Sequence, residues 1–289
     1  MNARLTRWVA LVSLGLAALG GLAWLSLAGD GALDRVRTTG IVRIGYAVEP
    51  PYAMISTEGR ITGESPELAR LVAARMGIKR IEWIQTSFDA LIADLEEGRF
   101  DLIAAGMFIT PERTNAVIFS EPSLRVTPGL LVRADNPGMP RAYDTIISAP
   151  NVRIAALAGS VEERQLLAGG LPAARLLSVP DAVAGRSAVE SGAADALALS
   201  LPTIRAMARA RPGTLDALPV ETGPSGNHPE TGFYVAFAFS PKHDKLRRAW
   251  NAAQAEIIGS PAHLQAIAPF GFDASSLPGN MTLARIVAQ

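Results

Sequence analysis

The chain has 289 residues, 49% hydrophobic and 19% charged, enough to bury two modest cores and too well mixed to stay disordered. Lys+Arg and Asp+Glu both number 27, so no overall field draws it to nucleic acid or to an acidic surface. Cysteine is absent, which excludes disulfides, thiolate metal sites, cysteine nucleophiles and a lipid carried on an N-terminal cysteine.

Arg4 and Arg7 precede an apolar run from Trp8 to Ala28, and the first acid is Asp30. That order reads as an export signal over residues 1–28. Ser26, Leu27 and Ala28 before Gly29 have the small-x-small form of a cleavage site, and the run is also long enough to cross a bilayer core of roughly 30 Å as a helix. Signal peptide and membrane anchor both stay open, and either places the body outside the cytoplasm.

From Val42 onward, short β-rich runs alternate with helical ones, which predicts an α/β fold with largely parallel sheet. Val42–Tyr46 reads as the first strand. Ser65 then reads as a helix N-cap with Pro66 in the first turn, ahead of Leu68, Leu71, Val72 and Met76 at helical spacing. A second helix is expected after Ser87 as N-cap, with Leu91, Ile92 and Leu95 on one face and an end at Gly98. Asp101–Ala105 follows as a strand. After the stretch 135–140 the same grammar repeats. Val152–Ala158 is a strand, Ser160 and Glu163 make a capping box, Leu176–Val179 is a strand, Asp181 caps a helix, and Ala194–Ser200 is a strand. The β-rich runs Thr127–Val132 and Phe233–Phe239 flank this unit, and a helix is expected over Lys245–Ile258. The order is that of one lobe inserted into another: residues 33–132 plus 236–289 for lobe 1, 133–235 for lobe 2, and a tail from Pro261 packed on lobe 1.

The strand ending at Ala105 runs into a loop in which Thr110 caps a helix, Pro111 opens it and Arg113 falls in its first turn. A cation there opposes the helix dipole, and a bound anion resolves the conflict; pairing with Glu112, Glu121 or another surface acid is the bland alternative. Glu49 and Tyr52 sit in the Pro50-Pro51 loop after the first strand, the edge where α/β sheets place ligands. Phe88 and Phe108 come from other loops on that edge. An acid with three rings suits a soft cation, while each ring alone is as readily a core aromatic. In the second unit, Ser160 presents a hydroxyl at a helix N-terminus, Glu162 answers either to the helix dipole or to a ligand, and Ser200 either touches ligand or starts a turn with Pro202. His228, His243 and His263 lack metal-ligand spacing and read as surface residues. The serines have no evident base, and neither a phosphate loop nor a dinucleotide fingerprint appears. No catalytic residue, metal or cofactor is expected, and the chain reads as a receptor and not an enzyme.

Four segments carry a resemblance: Gly45-Tyr46, Gly63 to Ala69, Leu95 to Asp101, and Ile109 to Arg113 with Phe119 to Pro122. Through them the chain resembles the bacterial extracellular solute-binding proteins of the amino-acid-type ABC importers (family 3). The resemblance implies a two-lobed periplasmic-binding-protein-like fold of type II, with a ligand cleft between the lobes and two hinge strands near Leu130–Val132 and Val235–Phe237. It implies a monomer that delivers ligand to an inner-membrane ABC permease, and an arginine, here Arg113, on the ligand carboxylate. Ala104 to Arg113, Pro261 to Leu264 and Pro269 to Phe272 are most similar to the ectoine and hydroxyectoine binders, which implies a cationic ring held by Glu49, Tyr52, Phe88 and Phe108. Ordinary amino-acid receptors carry an aspartate where this chain has Ser200. Receptors for another amino acid or a betaine-like solute, and a cyclohexadienyl-type dehydratase on the same fold, remain alternative readings. No role is assigned to the loop 225–229.

Overall fold

The computed structural model describes residues 31–136, 138–221 and 232–288. Two five-stranded sheets organise the chain. In the first, Ile41–Tyr46 lies parallel to Arg80–Gln85 on one side and to Leu102–Ile103 on the other. Ala238–Phe239 then pairs antiparallel with Leu102–Ile103 and with Ile118–Phe119. In the second, Leu176–Val179, Ile154–Leu157 and Ala196–Ser200 are parallel, and Pro128–Arg133 pairs antiparallel with Ala196–Ser200 and with Leu215–Pro219. Each sheet is buried on both faces. Val42, Ile44, Leu68, Val72, Phe239 and Trp250 fill one side of the first, and Leu91, Leu95, Phe100 and Phe119 the other. Side chains two apart share a face of a strand, so Leu130 and Val132 join one core of the second sheet and Leu131 joins the opposite core.

Asp101 ties the front of the first sheet together. Its buried carboxylate accepts from the Arg43 backbone at 2.9 Å, from the Arg43 guanidinium at 2.8 Å and from Arg35 at 2.5 Å. These donors hold its carboxyl below the ordinary range against the opposing effect of burial.

Local chemistry sets several element boundaries where the sequence places them. Thr110 accepts from Arg113 N at 3.3 Å with Pro111 in first position, and Asp181 accepts from Ala184 N at 2.8 Å. Ser160 accepts from Glu163 N at 3.1 Å, but the return bond of the expected capping box is displaced: Glu163 accepts from Gly159 N at 2.8 Å. Two expected caps are not caps. The helix Glu64–Arg75 starts from Gly63, whose φ of 124° and close approach to the Tyr52 carbonyl exclude a side chain. Ser65 is therefore inside the helix and donates to Glu64 at 2.7 Å. The helix Leu91–Glu96 starts from Ala90, and Ser87 bonds Asp89 instead.

The run Phe233–Phe239, expected as one strand, is divided. Phe233–Val235 pairs antiparallel with Leu124–Val126 in a separate ribbon, and Ala238–Phe239 enters the first sheet. This ribbon runs between the sheets, whereas Pro128–Arg133, expected to cross at Leu130–Val132, is paired along its length inside the second sheet. The crossing strand thus lies upstream of its expected place, because both edges of Pro128–Arg133 are occupied by sheet partners. The tail packs on the first lobe: Met281, Leu283 and Ile286 join its core, and Leu283 N donates to Glu121 at 2.9 Å. His263, expected at the surface, is fully buried in the helix Pro261–Ile267. There it accepts from Gly259 N at 3.1 Å, and burial holds its imidazole below the usual range. His228 and the loop 225–229 lie outside the described residues, as do 1–30, and no described helix is long and apolar enough to cross a membrane.

Candidate functional site

The loop after the first strand folds back on itself. Glu49 N donates to Ala53 O at 2.9 Å and Tyr52 N to Glu49 O at 2.9 Å, so an acid and a ring leave one short turn together. Tyr52 is wedged in place. Its ring packs on Phe272 with centroids 5.6 Å apart, and on Gly106, where a Cβ would come within 2.4 Å of the ring. Gly106 has φ +65°, so glycine is required there on both counts.

Opposite this loop stands the end of the strand Ala196–Ser200 and the first turn of the helix Leu201–Arg209. Tyr52 Oη donates to Ser200 Oγ at 3.0 Å, Ser200 Oγ lies 3.0 Å from Thr203 Oγ1, and Thr203 Oγ1 donates to Glu49 Oε1 at 2.9 Å. All four side chains are buried. Glu49 and Tyr52 belong to the first lobe and Ser200 and Thr203 to the second, so the chain of bonds spans the cleft. Burial, with Glu162 nearby, pushes the Glu49 carboxyl up to about 8 despite the Thr203 bond and the charge of Arg113.

Arg113 is 5% exposed and pairs with neither Glu112 nor Glu121 as its described partner. Its Nη1 donates to Phe108 O at 2.9 Å, its Nη2 donates across the cleft to Gly159 O at 3.0 Å, and its guanidinium lies 5.5 Å from the centroid of the Phe88 ring. A guanidinium has five N–H donors, so these two bonds leave three for a further acceptor. Burial and the neighbouring Arg164 lower its pKa to about 10, which keeps it charged at neutral pH. Phe108 stacks on Phe233 at 4.8 Å and 14°, which covers one face of the Phe108 ring. Phe88 is half-buried and packs against both lobes.

Ser160 caps the helix Val161–Ala168, and Glu162 lies in its first turn, 2% exposed. Dipole and solvent do not account for this acid: its Oε1 has no hydrogen-bond partner, and burial pushes its carboxyl up to about 7. Glu162 and Arg113 each perturb the other's ionisation, as do Glu49 and Arg113, so the three ionisable groups share one neighbourhood.

Glu49, Tyr52, Phe88, Phe108, Arg113, Ser160, Glu162 and Ser200 therefore converge where the lobes meet. Sequence reasoning missed Thr203, Phe233 and the Gly159 carbonyl. Thr203 stands three residues after Ser200 in a first helical turn, a spacing that places two hydroxyls side by side. The other two carried no local signal.

Residues 42–267 match the model of the bacterial extracellular solute-binding proteins, family 3. A probable amino-acid ABC transporter periplasmic-binding protein, y4tE of Sinorhizobium fredii, is 32% identical over 85% of this chain and 82% of its own. The cyclohexadienyl dehydratase of Pseudomonas aeruginosa is 30% identical over 68% of this chain and 73% of its own. Among solved structures, EhuB in complex with hydroxyectoine superposes with a TM-score of 0.81 at 28% identity, covering 90% of this chain and 98% of that one. With two lobes, a crossing ribbon and a charged cleft between them, the chain belongs to the bacterial extracellular solute-binding proteins of family 3.

Proposed function

We propose that this protein is the receptor of an ABC importer for a small zwitterion such as ectoine or hydroxyectoine, captured by closure of the two lobes. The observation that carries the reading is the pairing in one buried cleft of a charged Arg113 with donors to spare and a Glu49 carboxyl beside Tyr52 that an entering cation would ionise. A ligand carboxylate on Arg113 and a delocalised cation between Glu49 and the rings would neutralise both. Ser200 supports a ring-borne cation over a compact ammonium, since its hydroxyl is already bonded to Tyr52 and Thr203 and it brings no charge. EhuB, solved with hydroxyectoine, superposes over nearly its whole length.

Family membership brings a small ligand, an ABC permease and a periplasmic place. To this we add a cleaved or anchoring segment 1–28, a monomer, and the ribbon Leu124–Val126 with Phe233–Val235 as the hinge, which moves the expected boundary at 132 upstream so that Pro128–Arg133 belongs to the second lobe. Thermal-shift screening against compatible solutes and amino acids tests the ligand class. A ligand at a hundred times its Kd adds about 2.7 kcal/mol to the folded state. Stabilisation by ectoine and not by linear amino acids is expected; the reverse result transfers the protein to another zwitterion, an amino acid or a betaine-like solute.

Glu162 favours a second reading. A buried acid whose carboxyl is pushed up to about 7 holds its proton near neutrality, the state a general acid needs to assist loss of water from a cyclic carboxylate held on Arg113. The similarity to a cyclohexadienyl dehydratase points the same way. Assay for product from cyclohexadienyl acids decides, and turnover abolished by Glu162→Gln would establish the enzyme.

A further inference from the structure

The receptor reading assigns Glu49 to the ligand cation and leaves open what aims that carboxylate and what tells the second lobe that it is charged. Thr203 does both by position. It is fully buried in the first turn of the helix Leu201–Arg209, reaches Glu49 Oε1 at 2.9 Å from the opposite lobe, and lies 3.0 Å from Ser200 Oγ. A hydroxyl has one proton. If Thr203 spends it on Glu49, Ser200 must donate to Thr203, and Tyr52 donates to Ser200 at 3.0 Å. The direction of the whole chain, Tyr52 to Ser200 to Thr203 to Glu49, is thus set by one acceptor, Glu49 Oε1, on a carboxyl that burial raises to about 8 and that an arriving ligand cation would ionise. Both ends lie on the first lobe and both middle members on the second, so each outer bond exists only when the lobes are together.

Resting on that receptor reading, we propose that Thr203 is a positioning residue: with Ser200 it closes a hydroxyl latch between the lobes and holds Glu49 as the acceptor of the ligand cation, coupling closure to the charge of the site. The charged and titratable groups facing Glu49 are Tyr52 from its own turn, Arg113 from the helix after Thr110, and Glu162 from the helix after Ser160. Glu64 and Tyr143 lie behind Tyr52 and Glu162, and Arg164 lies behind Arg113. Of the groups around it, Arg113 and the Thr203 hydroxyl favour the charged form of Glu49, and only Thr203 does so by direct contact. Removing the Thr203 hydroxyl raises the Glu49 carboxyl further, so a bound complex loses its cation partner at a higher pH.

The test uses the mature protein in two arms, with Thr203→Val removing the hydroxyl and Thr203→Ser restoring it. Because the chain has no cysteine, spin labels on Thr57→Cys and Leu177→Cys, both exposed and on different lobes, report closure without ligand. At pH 7 the short-distance population is expected to fall by half or more in Thr203→Val and to return in Thr203→Ser; identical distributions in all three overturn the latch. In the second arm ectoine is the probe, and its dissociation is followed from pH 4 to 8. Thr203→Val is expected to dissociate several-fold faster, and the pH at which dissociation accelerates is expected to rise by about half a unit or more, the equivalent of one lost hydrogen bond. Faster dissociation by the same factor at every pH overturns the coupling to Glu49. Absence of ectoine binding in the unaltered protein defeats the ligand reading, while the first arm still decides the latch.

Discussion

Arg113 on the first lobe donates to the carbonyl of Gly159 on the second at 3.0 Å. The bond holds the guanidinium across the cleft, where its remaining donors meet whatever anion enters. Arg113→Ala removes a charged, forked contact and leaves a ligand carboxylate desolvated, a loss of about 2 to 5 kcal/mol in binding. Calorimetry with ectoine is expected to show binding nearly abolished. An affinity within about twofold of the unaltered protein would place the anion elsewhere.

The stacked pair Phe108 and Phe233 predicts a smaller effect. Phe108→Leu keeps apolar area and loses the ring's quadrupole, so ectoine affinity is expected to fall by about 0.5 to 2 kcal/mol. Calorimetry on this variant beside Arg113→Ala ranks the two contributions. A silent Phe108→Leu, with a linear amino acid bound better than ectoine, keeps the receptor and removes the cyclic cation.

Gly106→Ala meets two obstacles at one position, a φ of +65° and a Tyr52 ring 2.4 Å from the new Cβ. Strain of the backbone alone is about 1 to 3 kcal/mol. Moving the Tyr52 ring also draws its hydroxyl away from Ser200. Lower thermal stability is expected together with a loss of ectoine affinity. Full affinity in a folded Gly106→Ala protein would show that the Tyr52 position is dispensable.

Glu64 gives a pH prediction. It is fully buried, its Oε1 lacks a partner, and burial pushes its carboxyl up to about 7 from an ordinary value near 4.5. A folded-state pKa above the unfolded one means that the folded protein binds this proton more tightly. Its contribution to stability is therefore full below about pH 4.5 and is lost as pH rises to about 7. Glu64→Gln, which stays neutral, should stabilise the protein above pH 7 by an amount on the order of 1 to 3 kcal/mol and change little at pH 4. Urea unfolding at pH 4 and pH 8 measures both, and an equal effect at the two pH values would refute the assignment.

Much of the fold was legible because its signals are local. Thr110 with Pro111, Ser160 with Glu163, and Asp181 announce helix starts through side chains that reach only three residues. The same logic failed at Ser65 and Ser87, where tertiary contacts chose the start. Gly63 must pass close to the Tyr52 carbonyl, which moves the helix boundary upstream and leaves the serine inside it. In the site, residues at strand ends were readable from their place on a sheet edge, and all of those singled out do meet in the cleft. Thr203 and Phe233 were not, because each is defined by a partner about a hundred or more positions away, Glu49 for one and Phe108 for the other. The buried state of Glu162 was equally hidden, since its sequence neighbours already explain an acid at a helix start.

The crossing ribbon has a consequence for affinity. Phe233–Val235 does more than join the lobes: Ile109 N donates to Tyr234 O at 2.9 Å, Phe108 forms a bridge with Val235, and Phe233 backs the Phe108 ring. The ribbon proposed as the hinge and the Phe108 ring proposed as a wall of the site are thus joined by one piece of backbone. A twist of the ribbon is therefore expected to shift the aromatic wall, and a change at Val126, which pairs with Phe233 in the ribbon, is expected to alter affinity through that wall.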